Sequence, residues 1–152
     1  MTNWLDDSEQ QAWRAFLQGS AQILDSVNRD MGRDSGLSFN EYEILVLLSE
    51  APNRQLRMST LAQHLVHSRS RLTHAVNRLE KAGYVERFPC ADDLRGINCS
   101  LTDAGFAKLE RSAADHVESV RRNFLDLITR EEFLELGRIH TKLLQASDPE
   151  AI

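Results

Sequence analysis

Two short helical patterns with a tight turn between them constrain the fold of this chain more than any other part of its 152 residues. The spacing of apolar residues predicts helices over 60–66 and 69–82, with 67–68 as the turn. Ser59 is the expected N-cap of the first helix, and Gly83 is the expected stop of the second. Two short helices joined in this way form a helix-turn-helix.

A β-hairpin is expected directly after this motif. Residues 84–88 and 97–101 have the composition of strands, and the segment between them is a charged turn. We expect Gly96 to supply a positive φ there, and Asp93 to fold back on the turn amides or to brace Arg95. An arginine at the tip of a hairpin suits a narrow minor groove of DNA, so this hairpin is a candidate wing.

Longer amphipathic helices are expected on both sides of this central region. The further elements predicted are helices over 8–31, 41–51 and 103–128, an extended piece over 55–57, and a last helix after Thr129. Asn40 is the expected N-cap of the second helix, with Glu43 in the position that a capping box prefers, and Thr102 is expected to cap the long helix. The predicted fold class is therefore mainly α with a small β-hairpin.

Charge is unevenly distributed along the chain, whose net charge is −5. Residues 52–100 contain eight Lys and Arg against four Asp and Glu, a net charge of +4, whereas the remainder carries −9. A basic middle inside an acidic chain indicates a polyanionic partner. Because chance can also produce such a partition, charge alone does not decide between the two readings.

The outward face of the second helix of the motif consists of donors and short hydroxyls, with no acidic residue before Glu80. Together with the expected N-cap, its residues are Ser68, Arg69, Ser70, Arg71, Thr73, His74, Asn77 and Arg78. Such a face suits phosphate binding and the reading of base edges, where Arg recognises guanine and Asn recognises adenine. The alternative is an ordinary solvated helix face, but such faces usually mix both signs of charge. We therefore predict DNA binding through this face, with Asp93 and Arg95 in the wing.

Four motifs follow one another in a specific order. They are the segment 56–62, the run R-L-E-K-A-G-Y-V-E-R at 78–87, D-L-R at 93–95 and L-T-D-A-G at 101–105. In this order they resemble the multiple-antibiotic-resistance regulator (MarR) family of winged helix-turn-helix transcription factors. The resemblance implies a single domain over 1–152, with a DNA-binding lobe over 37–101 and dimerisation helices over 1–36 and 102–152. It also implies a homodimer on a pseudo-palindromic operator, with repression as the expected sign of regulation.

Trp13, Phe16 and Tyr42 are the residues that we expect to line a ligand site. Many members of the MarR family release DNA when a small aromatic or phenolic molecule enters the cleft between the lobes, and the resemblance implies such an effector. The alternative is that all three residues belong to the core of the dimerisation lobe, because aromatic residues at helical spacing usually serve packing.

Cys90 and Cys99 flank the turn of the predicted hairpin and suggest an alternative, redox-responsive regulator. With the turn centred near 94–95 the two thiols would face each other, whereas a looser turn would offset them. Pro89 interrupts the strand and weakens the geometry for a disulfide. The other interpretation is a pair of free thiols, which is typical of intracellular proteins.

No catalytic or cofactor-binding motif stands out in the sequence, so we expect neither an enzyme nor a cofactor. His64, His67 and His74 do not converge, and no metal site is expected. The acidic N-terminus lacks the features of a signal peptide and no apolar run approaches about 20 residues, so we expect a cytoplasmic protein without membrane association. The remaining alternative class is a winged helix used only for protein contacts, which usually lacks a basic recognition face.

Overall fold

The computed structural model describes residues 1–65 and 69–147. Its helices and strands, in chain order, are α1 (Asp7–Asp34), α2 (Phe39–Glu50), β1 (Gln55–Arg57), α3 (Met58–His64), α4 (Arg69–Lys81), β2 (Val85–Pro89), β3 (Ile97–Leu101), α5 (Asp103–Asn123) and α6 (Arg130–Ser147). The arrangement is mainly helical with one small sheet, which confirms the predicted fold class. No helix in the described part of the chain is long and apolar enough to cross a membrane.

A capping box fixes the start of α2 earlier than the sequence indicated. The Ser38 hydroxyl accepts a hydrogen bond from the N–H of Glu41 at 3.1 Å, and the Glu41 carboxylate accepts one from the N–H of Ser38 at 3.0 Å. The prediction that Asn40 caps this helix with Glu43 is therefore wrong. Asn40 lies inside the first turn, because Ser38 already satisfies the N–H group at the third helical position.

Other helix boundaries also differ from the predictions, and α1 runs to Asp34 instead of ending at Met31. α3 begins at Met58 instead of after an N-cap at Ser59, because β1 pairs with β3 along its whole length and the chain passes directly from the sheet into the helix. α5 ends short of the predicted Ile128, since Phe124 leaves the helical backbone with φ −141° and ψ −70°. The Phe124 ring packs edge-on against Phe133 of α6 at 5.3 Å.

The predicted cap at Thr102 and the predicted stop at Gly83 are confirmed. The Thr102 hydroxyl caps α5 by accepting a hydrogen bond from the N–H of Gly105 at 3.0 Å. Thr129 caps α6 in the same way, with Glu132 in a capping box. Gly83 ends α4 in the left-handed region at φ +80°, where a residue with a Cβ would be strained.

β3 is the central strand of a three-stranded antiparallel sheet with the order β1-β3-β2. Cys99 of β3 lies opposite Leu56 of β1 on one side and Arg87 of β2 on the other. The sheet thus joins the hairpin to the segment just before α3. The wing and the helix-turn-helix are therefore parts of one body.

The hydrophobic core lies where α2, α3, α4 and β3 meet. Its most deeply buried side chains are Met31, Ile44, Leu45, Leu48, Leu61, Val76, Leu79, Val85 and Cys99. α4 contributes a single face, because its buried residues recur at spacings of three and four. Each fully buried aliphatic side chain stabilises the fold by roughly 1.5–3 kcal/mol. The rest of α4 is left for other contacts.

A polar cluster fastens α1 to α5. The Asp30 carboxylate accepts hydrogen bonds from Ser119 Oγ at 2.7 Å, Arg122 Nη2 at 2.7 Å and Asn123 Nδ2 at 2.8 Å. The bond from Ser119, followed by that from Arg122, holds the pKa of Asp30 far below its usual range. A buried carboxylate with this many donors is stable only in its charged form.

Apolar side chains on α1 and α6 remain exposed. They include Trp13, Phe16, Leu17, Leu24, Leu134, Ile139, Leu143 and Leu144. The apolar residues of α5 are divided between two environments. Leu109 and Val120 pack in or against the core of the same chain, whereas Val117 is exposed, as is Leu127 just beyond the helix.

Candidate nucleic-acid interface

α4 exposes the residues that the sequence predicts for DNA contact. Those whose side chains are described and exposed are Ser70, Arg71, Thr73, His74, Asn77 and Arg78. Arg69 begins the helix, but its side chain lies outside the described residues, as does the whole of Ser68. The predicted phosphate contact at Ser68 therefore has no structural description.

Helical geometry sorts the exposed side chains of α4 into three rows. With 100° of rotation per residue, the rows are separated from one another and from the buried face. They are Ser70, His74 and Asn77 opposite the core, Thr73 and Glu80 on the side of β2, and Arg71 and Arg78 on the side of α2. The two flanking rows lie where α4 meets its neighbours.

Arg78 forms an ion pair with α2. Its Nε donates to Oε1 of Glu41, a side chain that is only 9% exposed, while the Arg78 side chain is 58% exposed. The other oxygen of the Glu41 carboxylate is held by the backbone of Ser38. Arg78 therefore holds α4 against the start of α2 while most of its side chain still faces solvent.

Arg87 of β2 makes a second link to α4. Its Nη2 donates to Glu80 Oε1 at 2.9 Å and to Asn77 Oδ1 at 2.6 Å, and its Nε donates to Glu80 Oε2 at 3.2 Å. The backbone N–H of Arg87 also donates to Glu80, at 3.1 Å. The first strand of the wing is thus tied to the outward face of α4.

The tip of the hairpin is built around Asp93 and Gly96. The Asp93 carboxylate accepts a hydrogen bond from the N–H of Arg95 at 3.0 Å, so it folds back on the turn as predicted. The prediction that Gly96 supplies a positive φ is wrong, because its backbone lies outside the left-handed region. Glycine is needed here for space, since a Cβ at this position would lie 2.9 Å from Cys90 Sγ. The Arg95 side chain is exposed at the tip.

A cleft of about 480 Å³ separates the wing from α3 and α4. Three guanidinium-bearing residues from three different segments, Arg57, Arg87 and Arg95, line it together with the hydroxyl-bearing residues Ser59 and Thr73. Its acidic lining residue is Asp93, whose carboxylate is engaged by the turn backbone. Such a lining of cations and hydroxyls suits a phosphate group.

Arg57, Ser59 and Arg87 are not among the individual residues that the sequence predicts for DNA contact. A signal was present for each of them. Arg57 and Ser59 stand at the start of a short helix inside the basic segment, and Arg87 ends the run at 78–87. Their convergence on one cleft depends on the pairing of β1 with β3 and on the register of β2 against β3, which the sequence did not reveal.

Comparison with known proteins assigns this arrangement of helix, cleft and wing to a family. A sequence model of the MarR family matches residues 35–96. The HTH-type transcriptional regulator PecS of Dickeya dadantii (strain 3937) is 36% identical over 114 residues, which cover 71% of this chain and 68% of PecS. This chain belongs to the MarR family. Its relatives are transcriptional regulators, a non-enzymatic class, and the HTH-type transcriptional repressor MdtR of Bacillus subtilis (strain 168) is 31% identical over 70% of this chain and 68% of MdtR.

Solved structures of other MarR-family proteins have the same fold. Sco3205 from Streptomyces coelicolor, solved in complex with DNA, matches with a TM-score of 0.90 and 39% identity, over 99% of this chain and 94% of Sco3205. AbsC from the same organism matches with a TM-score of 0.85 and 38% identity, over 98% of this chain and 100% of AbsC. The chain is thus a DNA-binding transcriptional regulator with a winged helix-turn-helix.

The three aromatic residues predicted for a ligand do not meet in one place in this MarR-family chain. Tyr42 is buried and stacks on His116 at 4.4 Å between ring centroids. Trp13 and Phe16 stack on each other at 5.8 Å near the exposed end of α1, and Phe16 also lies 5.8 Å from His140 of α6. Phe16 lines an apolar groove of about 730 Å³ between α1 and α6.

The two cysteines of the MarR-family wing do not face each other, so the facing register, one of the two that the sequence left open, does not occur. The register places Cys99 opposite Arg87, whereas the backbone of Cys90 bonds to Gly96, because the turn is centred at Asp93 instead of at 94–95. Both thiols are free and buried, and burial raises the pKa of Cys99 to about 12. A thiol with so high a pKa is a poor nucleophile. Among the described residues, no group of three His, Cys, Asp or Glu side chains could hold a metal ion.

Proposed function

We propose that this protein binds a pseudo-palindromic operator as a homodimer and represses transcription from it. The observation that carries the proposal is that the exposed donors of α4 and the arginine-tipped wing flank one basic cleft. In a dimer, two such assemblies match the two-fold symmetry of a palindromic site. Residues 37–101 form the DNA-binding lobe in this proposal, and 1–36 and 102–152 form the dimerisation helices.

α4 is the element that enters the major groove. Ser70, His74 and Asn77 stand on its outermost row and meet base edges, while Arg71 reaches a guanine from the side. Arg78 keeps its ion pair with Glu41 and contacts the DNA with the exposed part of its guanidinium. Ser68 and Arg69 precede these residues and contact the phosphates beside them.

The cleft between wing and α4 receives the sugar-phosphate backbone. Arg57 and Ser59 bind a phosphate from one side and Thr73 from the other, and Asp93 holds the turn that carries Arg95. Arg95 then enters the adjacent minor groove, whose negative potential attracts a guanidinium group. This arrangement adds two contacts to those that the sequence predicts.

The exposed apolar faces of α1 and α6 support the dimer. Trp13, Leu143 and Leu144 are each more than half exposed. Exposed apolar surface on this scale marks an interaction surface in a soluble protein. A second copy of the chain covers it in this proposal.

Repression follows from steric exclusion, since a dimer seated on two half-sites blocks access to the DNA it covers. Relief by a small aromatic or phenolic molecule is part of the proposal. Phe16 and His140 supply a ring-lined apolar groove that such a molecule fits. The molecule would bind one arrangement of the dimer better than another. It would thereby change the distance between the two DNA-binding lobes.

The experiment is a measurement of affinity for duplex DNA, selected from a randomised pool, at several salt concentrations. Log affinity is expected to fall by about 0.9 per phosphate for each unit of log salt. Arg95→Ala should reduce that slope by about one per half-site and leave the melting temperature unchanged. Sedimentation of the unmutated chain should show a dimer at micromolar concentration, and Leu143→Asp should give a monomer. A flat salt dependence or a folded monomer of the unmutated chain would contradict the proposal.

A further inference from the structure

We propose that Arg87 is a positioning residue that fixes the side-chain amide of Asn77 so that it acts toward DNA as a hydrogen-bond donor, which selects a base with a keto oxygen at one position of each half-site. This inference rests on the proposed function, because it names a rule of base recognition for α4. Arg87 lies on β2 of the wing and not on α4, yet this inference gives it a role in specificity.

The identity of the amide atom that faces Arg87 follows from chemistry. A guanidinium group has only N–H donors, so its partner must be an acceptor. The atom 2.6 Å from Arg87 Nη2 is therefore the oxygen of the Asn77 amide, and the NH2 group occupies the other position. A charge-assisted bond of this length is stronger than the bonds that an exposed amide forms with water.

Arg87 is itself held in place. Both oxygens of Glu80 accept from its guanidinium, at 2.9 and 3.2 Å, and its backbone N–H donates to the same carboxylate at 3.1 Å. Its side chain is 26% exposed, less than half the exposed fraction of Arg78. The guanidinium of Arg87, which donates to Asn77, is thus held both by Glu80 of α4 and by the pairing of β2 with β3.

The base that suits Asn77 follows from this orientation. Reading adenine requires the amide to accept from the adenine N6 amino group and to donate to N7. In this protein the amide oxygen of Asn77 already accepts from Arg87. The N6 amino group of adenine would have to donate to the same oxygen beside the positive charge of the guanidinium, which disfavours adenine. A keto oxygen, O6 of guanine or O4 of thymine, accepts from the Asn77 NH2 group and is also attracted by the guanidinium. The general pairing of asparagine with adenine is therefore not expected here.

The experiment measures base preference, using duplexes selected by the full-length protein from a randomised pool and then substituted one base pair at a time. The variants are Arg87→Ala, Asn77→Ala and the double variant, with Arg57→Ala as the matched control. Arg57 lines the same cleft and carries the same charge, but its side chain makes no hydrogen bond to Asn77 among the contacts of the described residues. Melting curves check folding, and Arg87→Met, which keeps a long side chain but has no donor, replaces Arg87→Ala if the alanine variant does not fold.

We expect the unmutated protein to prefer guanine or thymine over adenine at one position per half-site by about tenfold, the order of one hydrogen bond. Asn77→Ala should remove the preference at that position alone. Arg87→Ala should move the preference toward adenine, and this shift should vanish in the double variant. Arg57→Ala should weaken binding to all duplexes without changing any preference. A preference for adenine in the unmutated protein, or the same preference after Arg87→Ala, would overturn the inference.

A second readout separates failure of this inference from failure of the proposed function. In the free protein, the NMR signals of the Asn77 NH2 group should move in Arg87→Ala and stay in place in Arg57→Ala. Unmoved signals in Arg87→Ala would show that Arg87 does not hold Asn77, even if the protein binds DNA as proposed. If the protein selects no duplex, the proposed function fails and the rule of base recognition falls with it, while the NMR result still decides the contact between Arg87 and Asn77.

Discussion

Arg78 on α4 and Glu41 at the start of α2 form an ion pair in which the Glu41 carboxylate is nearly buried. The same carboxylate completes the capping box of α2 through the N–H of Ser38. One acidic side chain therefore sets both where α2 begins and how α4 is held against it. We therefore expect substitutions at Arg78 and Glu41 to affect folding and, in the proposed complex, DNA binding as well.

We expect Glu41→Ala to lower the free energy of unfolding by about 1–3 kcal/mol, because it removes a cap and leaves Arg78 without its partner. Arg78→Ala should cost less, about 1 kcal/mol, since more than half of the Arg78 side chain is exposed. Urea unfolding of both single variants and of the double variant measures the coupling. A double variant whose loss equals the sum of the two single losses would show that the ion pair contributes nothing.

Sequence patterns predicted most of the fold because the relevant signals are local. The spacing of Leu72, Val76 and Leu79 marks the buried face of α4. The hydroxyl of Thr102 marks the start of α5, and the glycine at position 83 marks the end of α4. The cap of α2 was misplaced because Ser38 and Asn40 are both good N-cap residues, and only the packed position of the helix decides between them.

The parts of the interface that sequence could not predict depend on strand register. The sequence left open whether Cys90 and Cys99 face each other, and the observed register places Arg87 opposite Cys99 instead. That register also brings Arg87 to Asn77 and Glu80, which lie seven to ten positions away in the chain. No local pattern carries this information, because a shift of register changes every cross-strand partner at once.

Asp30 makes the stability of this protein sensitive to acid. Its pKa lies far below the usual value in the folded state because Ser119, Arg122 and Asn123 donate to its charged form. The unfolded chain therefore binds a proton at higher pH than the folded chain does. The stabilisation is complete above about pH 5 and diminishes as the pH falls through about 4 and below.

We expect Asp30→Asn to lower the free energy of unfolding at pH 7 by about 1–3 kcal/mol, since three donors lose a charged acceptor. The difference between the two proteins should shrink as the pH is lowered from 5 to 3. Thermal melting across this range measures it, and Asp25→Asn, at an exposed position of the same helix, is the control for loss of a negative charge. A difference that stays constant with pH would contradict the assignment.

His116 gives a second, separate pH dependence. Its ring stacks on Tyr42 at 4.4 Å and on Phe39 at 6.0 Å, and burial lowers its pKa. A histidine with a lowered pKa in the folded state stabilises the fold as the neutral ring. This contribution is full above the usual histidine pKa of about 6.5 and is lost as the pH falls below it.

His116→Phe keeps an aromatic ring in this stack and removes the titration. We expect the variant to match the unmutated protein at pH 8 and to exceed it in melting temperature at pH 5.5. An NMR titration of the His116 ring gives the pKa of the unmutated protein directly. A pKa above about 6.5, or a variant that loses stability toward pH 5.5 as steeply as the unmutated protein, would refute the prediction.

The wing offers a test in which two substitutions should compensate each other. A Cβ on Gly96 would lie 2.9 Å from Cys90 Sγ and 3.4 Å from the backbone oxygen of Asp93. Cys90 is buried and its thiol is bonded to Asn98, so it has little room to move. Gly96→Ala should therefore strain the turn by about 1–3 kcal/mol, which is typical of overpacking. Because Arg95 is the neighbouring residue, affinity for the selected duplex should fall as well.

Cys90→Ala in the same chain removes the sulfur that the new Cβ would meet. We expect the double variant to regain most of the melting temperature and most of the DNA affinity lost in Gly96→Ala, while Cys90→Ala alone changes both only slightly. Melting curves and affinity at two salt concentrations are measured for all four proteins, and affinity for a random duplex is the control for a general loss of charge contact. A melting temperature that falls in Gly96→Ala while affinity for the selected duplex stays unchanged would show that the wing does not touch DNA. Losses that simply add in the double variant would show that the close approach of Gly96 to Cys90 is not what holds the turn in shape.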